Sequence, residues 1–202
     1  MGPPAGWTPG GPPPSFSSWR RPGVQGHAYS AHVTADELVS VALRIVREAP
    51  YGFVVTAEPE GAPSGRVVQH LEVSDELAVS FSTSPKSRKA ARVAASGMAT
   101  YLVENRDRFA YVSLSGPARL SDDLEERRRL WDEGLRAFFP DGPDGPDFIL
   151  VELTAQRIEL WSFADEVHPD PYGLVPATLV RDGGGWHVVE SGHREVDRDG
   201  FD

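Results

Sequence analysis

Hydroxyl and basic side chains that suit an anion are concentrated just after a predicted strand, between residues 83 and 89. Ser84 followed by Pro85 predicts the start of a helix, because serine is a preferred N-cap and proline is favoured at the first helical position. The free amides of a helix start attract phosphate, and nearby basic side chains strengthen that attraction. The predicted donors are Thr83, Ser84, Ser87, Arg88 and Lys89. A capped surface helix without a ligand is the alternative that this pattern leaves open.

Other kinds of site are excluded by what the chain lacks. It has no cysteine, which excludes disulfides, thiolate metal sites and cysteine nucleophiles. Glycine-rich nucleotide loops and the nucleophile motif of hydrolases are also missing. The six histidines, at positions 27, 32, 70, 168, 187 and 193, have no metal-ligand spacing, so neither a metal site nor a catalytic residue is assigned. His70, in a predicted strand, is expected to be a hydrogen-bonded structural residue.

The charge and the apolar content of the chain limit its partners. Thirty acidic and twenty basic residues give a formal charge of -10 at pH 7, which argues against a nucleic-acid partner. No apolar run approaches the roughly 20 residues of a membrane helix. With 202 residues, 40% of them apolar, the chain has material for one folded core. We therefore expect a cytoplasmic protein that binds neither nucleic acid nor membrane.

The chain divides into a tail, a folded domain and an extension. The first thirty residues hold seven of the 18 prolines and six of the 20 glycines, so residues 1–33 are predicted to be a disordered tail. The domain covers residues 34–165. The extension, residues 166–202, contains a predicted hairpin between 177–180 and 186–189.

The predicted elements of the domain are three helices and at least six strands. Thr34 and Glu37 form a capping box, followed by apolar residues at helical spacing that end near Pro50. Alternating patterns predict strands over 51–57, 64–73, 77–83, 98–103, 109–120, 148–153 and 157–163. The second helix is predicted to run from Ser84 to about residue 95. Antiparallel strands with helices between and beside them indicate a closed β-barrel of the α+β class.

A third helix is predicted after residue 120. Ser121 is expected to cap it, and its apolar stripe is expected to contain Leu124, Trp131, Leu135 and Phe138. Its charged residues include Asp123 and Arg127, four positions apart, which can form an exposed ion pair. The prediction therefore places Arg127 on a solvated helix face.

The order of several short motifs resembles the pyridoxamine 5'-phosphate oxidase-like, FMN-binding split-barrel family. These motifs are Arg66-Val67-Val68, Phe81-Ser82-Thr83, Ser87-Arg88-Lys89 and the stretch from Val112 to Ala118. Trp131, the run from Phe138 to Pro143, and Arg157 to Trp161 are similar to the general stress protein branch of that family. The resemblance covers about residues 35 to 165 and implies a predominantly antiparallel split β-barrel with about three flanking helices.

The resemblance also implies a cofactor site. Arg66 and Lys89 match basic positions that grip the FMN phosphate, with Ser87 and Arg88 as neighbouring donors. Val67 and Val68 match strand residues whose backbone faces the flavin ring, and Phe81, Ser82 and Thr83 match the strand edge that lines the site. Trp161 matches an aromatic residue near the flavin, and packing within the barrel is its other interpretation. The family implies a homodimer with the cofactor at its interface.

The resemblance implies hydride transfer between FMN and a small-molecule substrate, which the sequence does not identify. A deazaflavin coenzyme or haem in the same barrel is a second hypothesis, and a non-catalytic, flavin-binding stress-related protein is a third. The C-terminal region lacks the Arg-Leu-His stretch with which pyridoxamine phosphate oxidases hold substrate phosphate. Gly145 also stands where the general stress branch often has an acidic residue. Fold and cofactor are therefore predicted more firmly than substrate.

Overall fold

The computed structural model describes residues 33–168 and 173–189. Its helices are α1 (Ala35–Glu48), α2 (Arg88–Ser96), α3 (Leu124–Arg129) and a 3₁₀ helix (Glu133–Ala137). Its strands are β1 (Gly52–Ala57), β2 (Pro63–Val68), β3 (His70–Val73), β4 (Ala78–Thr83), β5 (Met98–Asn105), β6 (Ala110–Ser121), β7 (Ile149–Thr154), β8 (Arg157–Ser162), β9 (Ala177–Asp182) and β10 (Gly185–Val189). Apart from Val33, the predicted tail lies outside the described residues.

The strands form one curled antiparallel sheet with a branch at β6. The main path runs β10-β9-β8-β6-β5-β1-β2, and a second path runs from β6 through β7 and β4 to β3. Strand β6 can serve both paths because it is twelve residues long: Ala110–Ser115 pairs with β8, and Ala118–Ser121 pairs with β7. The result is a half-barrel rather than a closed barrel, which confirms the predicted α+β split-barrel fold.

Helix α1 begins as its sequence predicts. The Thr34 hydroxyl accepts a hydrogen bond from the Glu37 amide at 3.2 Å, and the Glu37 carboxylate accepts one from the Thr34 amide at 2.8 Å. The buried face of α1, formed by Leu38, Ala42, Ile45 and Val46, packs into the main core. That core extends beyond residue 165, because Ala177 and Leu179 of β9 are also buried in it.

Two predicted element boundaries are wrong. The stretch 64–73 is not one strand, because it breaks at Gln69 so that β2 pairs with β1 and β3 pairs with β4. Helix α2 begins after Ser87, whose hydroxyl accepts the Ala90 amide at 3.2 Å, and not after Ser84. Ser84 instead accepts the Ser87 amide in a turn that precedes the helix.

The third helix is shorter than predicted and has a different cap. Ser121 ends β6, and Asp123 caps α3 by accepting the Glu126 amide at 2.9 Å. Because α3 ends at Arg129, the four predicted residues do not form one helical stripe: Leu124 is 42% and Phe138 is 77% exposed, whereas Leu135 is buried in a small core against which Trp131 packs.

Arg127 is buried rather than solvated. Its guanidinium donates to Asp122 and to the carbonyl of Gly145, and it lies over the Phe148 ring. The side chain therefore connects α3 to the loop before β7, a contact that the i,i+4 pattern does not show.

Asp165 joins three parts of the fold. It accepts hydrogen bonds from Arg44 of α1, from Arg108 in the β5–β6 turn and from the Ser162 hydroxyl of β8. Burial acts to raise the pKa of this carboxyl, but the hydrogen bonds outweigh burial and the pKa lies below its usual value. Within the described residues no helix is both long and apolar enough to cross a membrane.

Candidate functional site

Strand pairing and helix packing bring the predicted basic residues together. Arg66 lies opposite Val54 in the β1–β2 ladder, and α2 packs on β1. One Arg66 nitrogen, Nη1, donates to the Thr56 hydroxyl at 3.2 Å and to the Ser64 carbonyl at 3.0 Å. These contacts hold Arg66 against the sheet beside the first turn of α2.

Two residues, Glu58 and Arg92, contact or neighbour Arg66 but are not among the predicted site residues. Glu58, in the turn after β1, accepts from Arg66 Nη2 at 2.8 Å and from Arg92 Nε at 2.9 Å. Helical spacing could have indicated Arg92, because it lies four positions after Arg88 and three after Lys89, and residues at these spacings share one face of a helix. No pattern indicates Glu58, which pairs with a helix 34 residues further along the chain.

Lys89 is half-buried in the cluster, and its ammonium group has no hydrogen-bond or ion-pair partner among the described residues. Burial, and then the charge of Arg66, lower the pKa of Lys89. With Lys89 protonated, Arg66, Lys89 and Arg92 carry three positive charges, and the one carboxylate beside them, that of Glu58, pairs with Arg66 and Arg92. The basic cluster, as we call these four residues, therefore has two positive charges in excess.

The first turn of α2 adds backbone donors to the basic cluster. Ser87 caps the helix and shares a 2.9 Å hydrogen bond with the Thr83 hydroxyl. The amides of Arg88 and Lys89 have no acceptor within the described part of the chain, as expected in a first turn. Ser84 is the first residue after β4, and its hydroxyl accepts the Lys86 amide at 3.2 Å. The Arg88 side chain is exposed beside these groups.

The strand residues that the resemblance assigned to the flavin ring have different exposures. Val67 is 59% exposed, whereas Val68 is buried. Phe81 and Thr83 are buried, and Ser82 between them is half-buried. The cross-strand partner of Val67 is Phe53, itself 44% exposed. Val67 and Phe53 therefore form an apolar strip on the outer side of β1 and β2, whereas Arg66 shares the opposite side of the two strands with Val54.

Trp161 is not part of the basic cluster within one chain. It lies on β8, and β6, β5 and β1 separate β8 from β2 in the sheet order. Its indole is buried, packs edge-to-face against Phe109, and donates from Nε1 to the Gly173 carbonyl at 2.8 Å. The contacts of Trp161 are therefore with Phe109 and the Gly173 carbonyl and not with the residues of the basic cluster.

His70 has the structural role that its position on a strand predicts. Its Nδ1 lies 2.9 Å from the hydroxyl of Tyr101, which is fully buried in the core. Burial lowers the pKa of His70 and raises that of Tyr101, so the pair is neutral at pH 7. The imidazole gives the buried hydroxyl a hydrogen-bond partner.

The residues present fit a ligand that combines a phosphate group with a flat apolar ring. A phosphate monoester has a charge of about -2 at neutral pH, which matches the excess charge of the basic cluster. Ammonium, guanidinium and first-turn amide groups are the donors that phosphate prefers. Strand β2 is the last strand of the main path of the sheet, so the backbone edge of Val67 and Val68, beside Arg66, is where a flat ring could lie.

Comparisons with solved structures find proteins that share the fold of this chain. The chain is similar to a protein related to general stress protein 26 from Clostridium acetobutylicum, with 19% identity, a TM-score of 0.58, and coverage of 64% of this chain and 91% of that chain. It is similar to a pyridoxamine 5'-phosphate oxidase-related, FMN-binding protein from Nostoc punctiforme, with 17% identity, a TM-score of 0.56, and coverage of 75% and 94%. A haem-binding protein from Mycobacterium smegmatis matches with 21% identity, a TM-score of 0.50, and coverage of 64% and 55%.

Sequence comparison identifies the family. A search of curated proteins gives no significant match. The family model described as pyridoxamine 5'-phosphate oxidase like matches residues 38–169, which include every element from α1 to β8 except the first three residues of α1. This match covers more than half of the chain and agrees with the fold of the solved structures. The chain therefore belongs to the pyridoxamine 5'-phosphate oxidase-like family.

Proposed function

We propose that this protein binds FMN and acts as a flavin-dependent oxidoreductase on a small molecule. The observation that carries the proposal is the basic cluster, in which the half-buried Lys89 ammonium has no partner among the described residues and two positive charges are in excess. Burying an unpaired cation costs free energy, and a dianionic phosphate would recover it. FMN combines such a phosphate with a planar ring.

In this proposal each part of the site holds one part of the cofactor. Arg66, Lys89, Arg88, the Ser87 hydroxyl and the first-turn amides of α2 hold the phosphate. The backbone of Val67 and Val68 faces the ring, and the edge of β4 from Phe81 to Thr83 borders it. Bound FMN supplies hydride transfer at N5 of the flavin. The protein residues orient the ring and the substrate and exclude water, and none is assigned as an acid or base.

The site would be completed by a second copy of the chain. Tyr51, Phe53 and Val67, which are 54%, 44% and 59% exposed, lie along the outer side of β1 and β2. An apolar strip of this kind is a surface that a dimer would cover. We expect light scattering at micromolar concentration to give twice the chain mass of 22.0 kDa. A monomer with cofactor bound would contradict both the dimer and a site shared by two chains.

Two other functions remain candidates. The structural similarity to the haem-binding protein of Mycobacterium smegmatis favours a haem alternative within the same fold. The similarity to a relative of general stress protein 26 favours a stress-related protein that binds flavin without turnover. A deazaflavin coenzyme would also present a phosphate to the basic cluster. The absorption spectrum of the purified protein separates the cofactors, at about 450 nm for flavin, 420 nm for deazaflavin and 400 nm for haem.

The direct test of the proposal is a comparison of FMN with riboflavin, which lacks the phosphate. Two charge-assisted contacts, each worth about 1.5–3 kcal/mol, predict FMN binding at least roughly a hundredfold tighter than riboflavin binding. Fluorescence quenching during titration measures both constants. Equal affinities would show that the basic cluster does not bind the phosphate. Tight FMN binding without turnover of any reduced nicotinamide or quinone substrate would favour the non-catalytic alternative.

A further inference from the structure

The inference concerns Glu58, the acidic member of the basic cluster. Its side chain is only 15% exposed, and its two oxygens accept from Arg66 Nη2 and from Arg92 Nε at 2.8 and 2.9 Å. The hydrogen bond from Arg66 is the main cause of a lowered pKa of Glu58, so the carboxylate is charged at neutral pH. A negative charge therefore already occupies part of the surface to which an anionic ligand would bind.

Glu58 does not use all the donors of Arg66. The guanidinium has five N–H groups, of which Nη1 gives two to Thr56 and Ser64 and Nη2 gives one to Glu58. The remaining two, on Nε and Nη2, have no acceptor within the described residues. A phosphate bound there would share Arg66 with Glu58, and the two anions would repel each other.

Arg92 depends on Glu58 more than Arg66 does. Glu58 is the acceptor of the Arg92 guanidinium in the described part of the chain, whereas Arg66 also contacts Thr56 and Ser64. Removing the carboxylate would therefore free Arg92 but leave Arg66 held through Nη1.

We propose that Glu58 is an internal counterion that holds Arg66 and Arg92 in the ligand-free protein and limits the affinity of the basic cluster for a phosphate group. The inference rests on the proposed phosphate site and makes Glu58 and Arg92 determinants of its affinity. The Glu58 carboxylate then raises the stability of the ligand-free protein, because it pairs with the cations, and lowers the affinity for phosphate, because it repels the ligand.

Glu58→Gln separates these two effects. The amide keeps the shape of the side chain and one acceptor oxygen, but its NH₂ group cannot accept from the second guanidinium. The excess charge of the basic cluster rises from two to three. For phosphate affinity, the gain from removing the repulsion between Glu58 and the phosphate should exceed the loss from less well positioned guanidinium groups. Arg66 stays in place because it keeps two of its three acceptors, Thr56 and Ser64.

The test uses inorganic phosphate as the probe, at constant ionic strength so that screening does not change. Glu58→Gln should bind phosphate about threefold to tenfold more tightly than the wild type. Its ligand-free melting temperature should fall by about 2–4 °C. Calorimetric titration and phosphate-dependent melting measure the two quantities. Unchanged or weaker phosphate binding by Glu58→Gln would overturn the inference.

Two further variants exclude simpler explanations. Glu72→Gln removes the same charge from a two-point ion pair with Arg129 on α3, and should leave phosphate affinity unchanged. An equal gain in this control would mean that net charge alone is responsible, which would overturn the inference. Arg92→Gln removes one of the two cations that pair with Glu58, so that the carboxylate pairs with Arg66 alone. This variant should bind phosphate roughly threefold more weakly. Tighter binding by Arg92→Gln would also contradict it.

The outcome for Glu58 can be distinguished from the outcome for FMN. If Glu58→Gln binds phosphate more tightly but the wild type does not prefer FMN over riboflavin, the counterion role stands and the proposed cofactor is wrong. If the wild type prefers FMN but Glu58→Gln does not gain affinity for phosphate, the cofactor proposal stands and the counterion role is wrong.

Discussion

Lys89→Ala should lower the affinity for FMN about tenfold to a hundredfold and leave the affinity for riboflavin nearly unchanged. The lysine ammonium has no partner among the described residues, so its loss leaves no carboxylate unpaired. The melting temperature of the ligand-free protein should therefore stay the same or rise slightly. Titration of both ligands, with melting curves for both proteins, measures the effect.

The matched control is Lys86→Ala. Lys86 lies one turn earlier, its side chain is 80% exposed, and it forms a 2.9 Å ion pair with Asp147. Removing it should change FMN affinity by less than about threefold, since an exposed pair contributes little. Equal losses for the two lysines would indicate long-range attraction to a basic region rather than a direct contact with Lys89. Equal losses of FMN and riboflavin affinity would contradict a phosphate contact.

Gly116→Ala should destabilise the fold by about 3 kcal/mol or more, which corresponds to a drop in melting temperature of roughly 6–12 °C. A Cβ atom at this position would lie 2.0 Å from the carbonyl oxygen of Thr154 and 3.0 Å from the amide nitrogen of Gln156. Both contacts are with backbone, which cannot rotate away. The close approach occurs where β6 changes partners from β8 to β7.

Gly183→Ala is the control for this substitution. Gly183 lies in the β9–β10 turn, and a Cβ atom there meets nothing within 4 Å. The change should alter stability by no more than about 0.5 kcal/mol. Thermal unfolding of the two variants beside the wild type decides the question. Similar melting temperatures for Gly116→Ala and Gly183→Ala would contradict the close packing of the β7–β8 turn on β6.

Much of the candidate site could be predicted because its residues form short, ordered motifs. Arg66, Ser87, Arg88 and Lys89 were selected from the sequence, and the fold places them around the start of α2. Glu58 and Arg92 could not be selected in the same way. Their contact joins a turn to a helix, and only the packing of α2 on β1 brings the two together.

The sequence by itself determined those features that depend on neighbouring residues. The capping box of Thr34 and Glu37 set the start of α1, because both of its hydrogen bonds join residues three positions apart. The alternation of apolar and polar residues identified the strands, because each strand buries one face. The family motifs occur in an order that follows the chain, so they could be recognised without coordinates.

Only the tertiary structure decided which of two equivalent local choices was used. Ser84 and Ser87 are both suitable caps, and Ser87 caps α2 while its hydroxyl bonds to Thr83 at the end of β4. Arg127 could have stayed in solvent, but the Gly145 carbonyl, 18 residues away, accepts its guanidinium in a buried contact. These outcomes depend on groups distant in sequence, whose positions are determined only when the sheet has curled and the loops have packed against it.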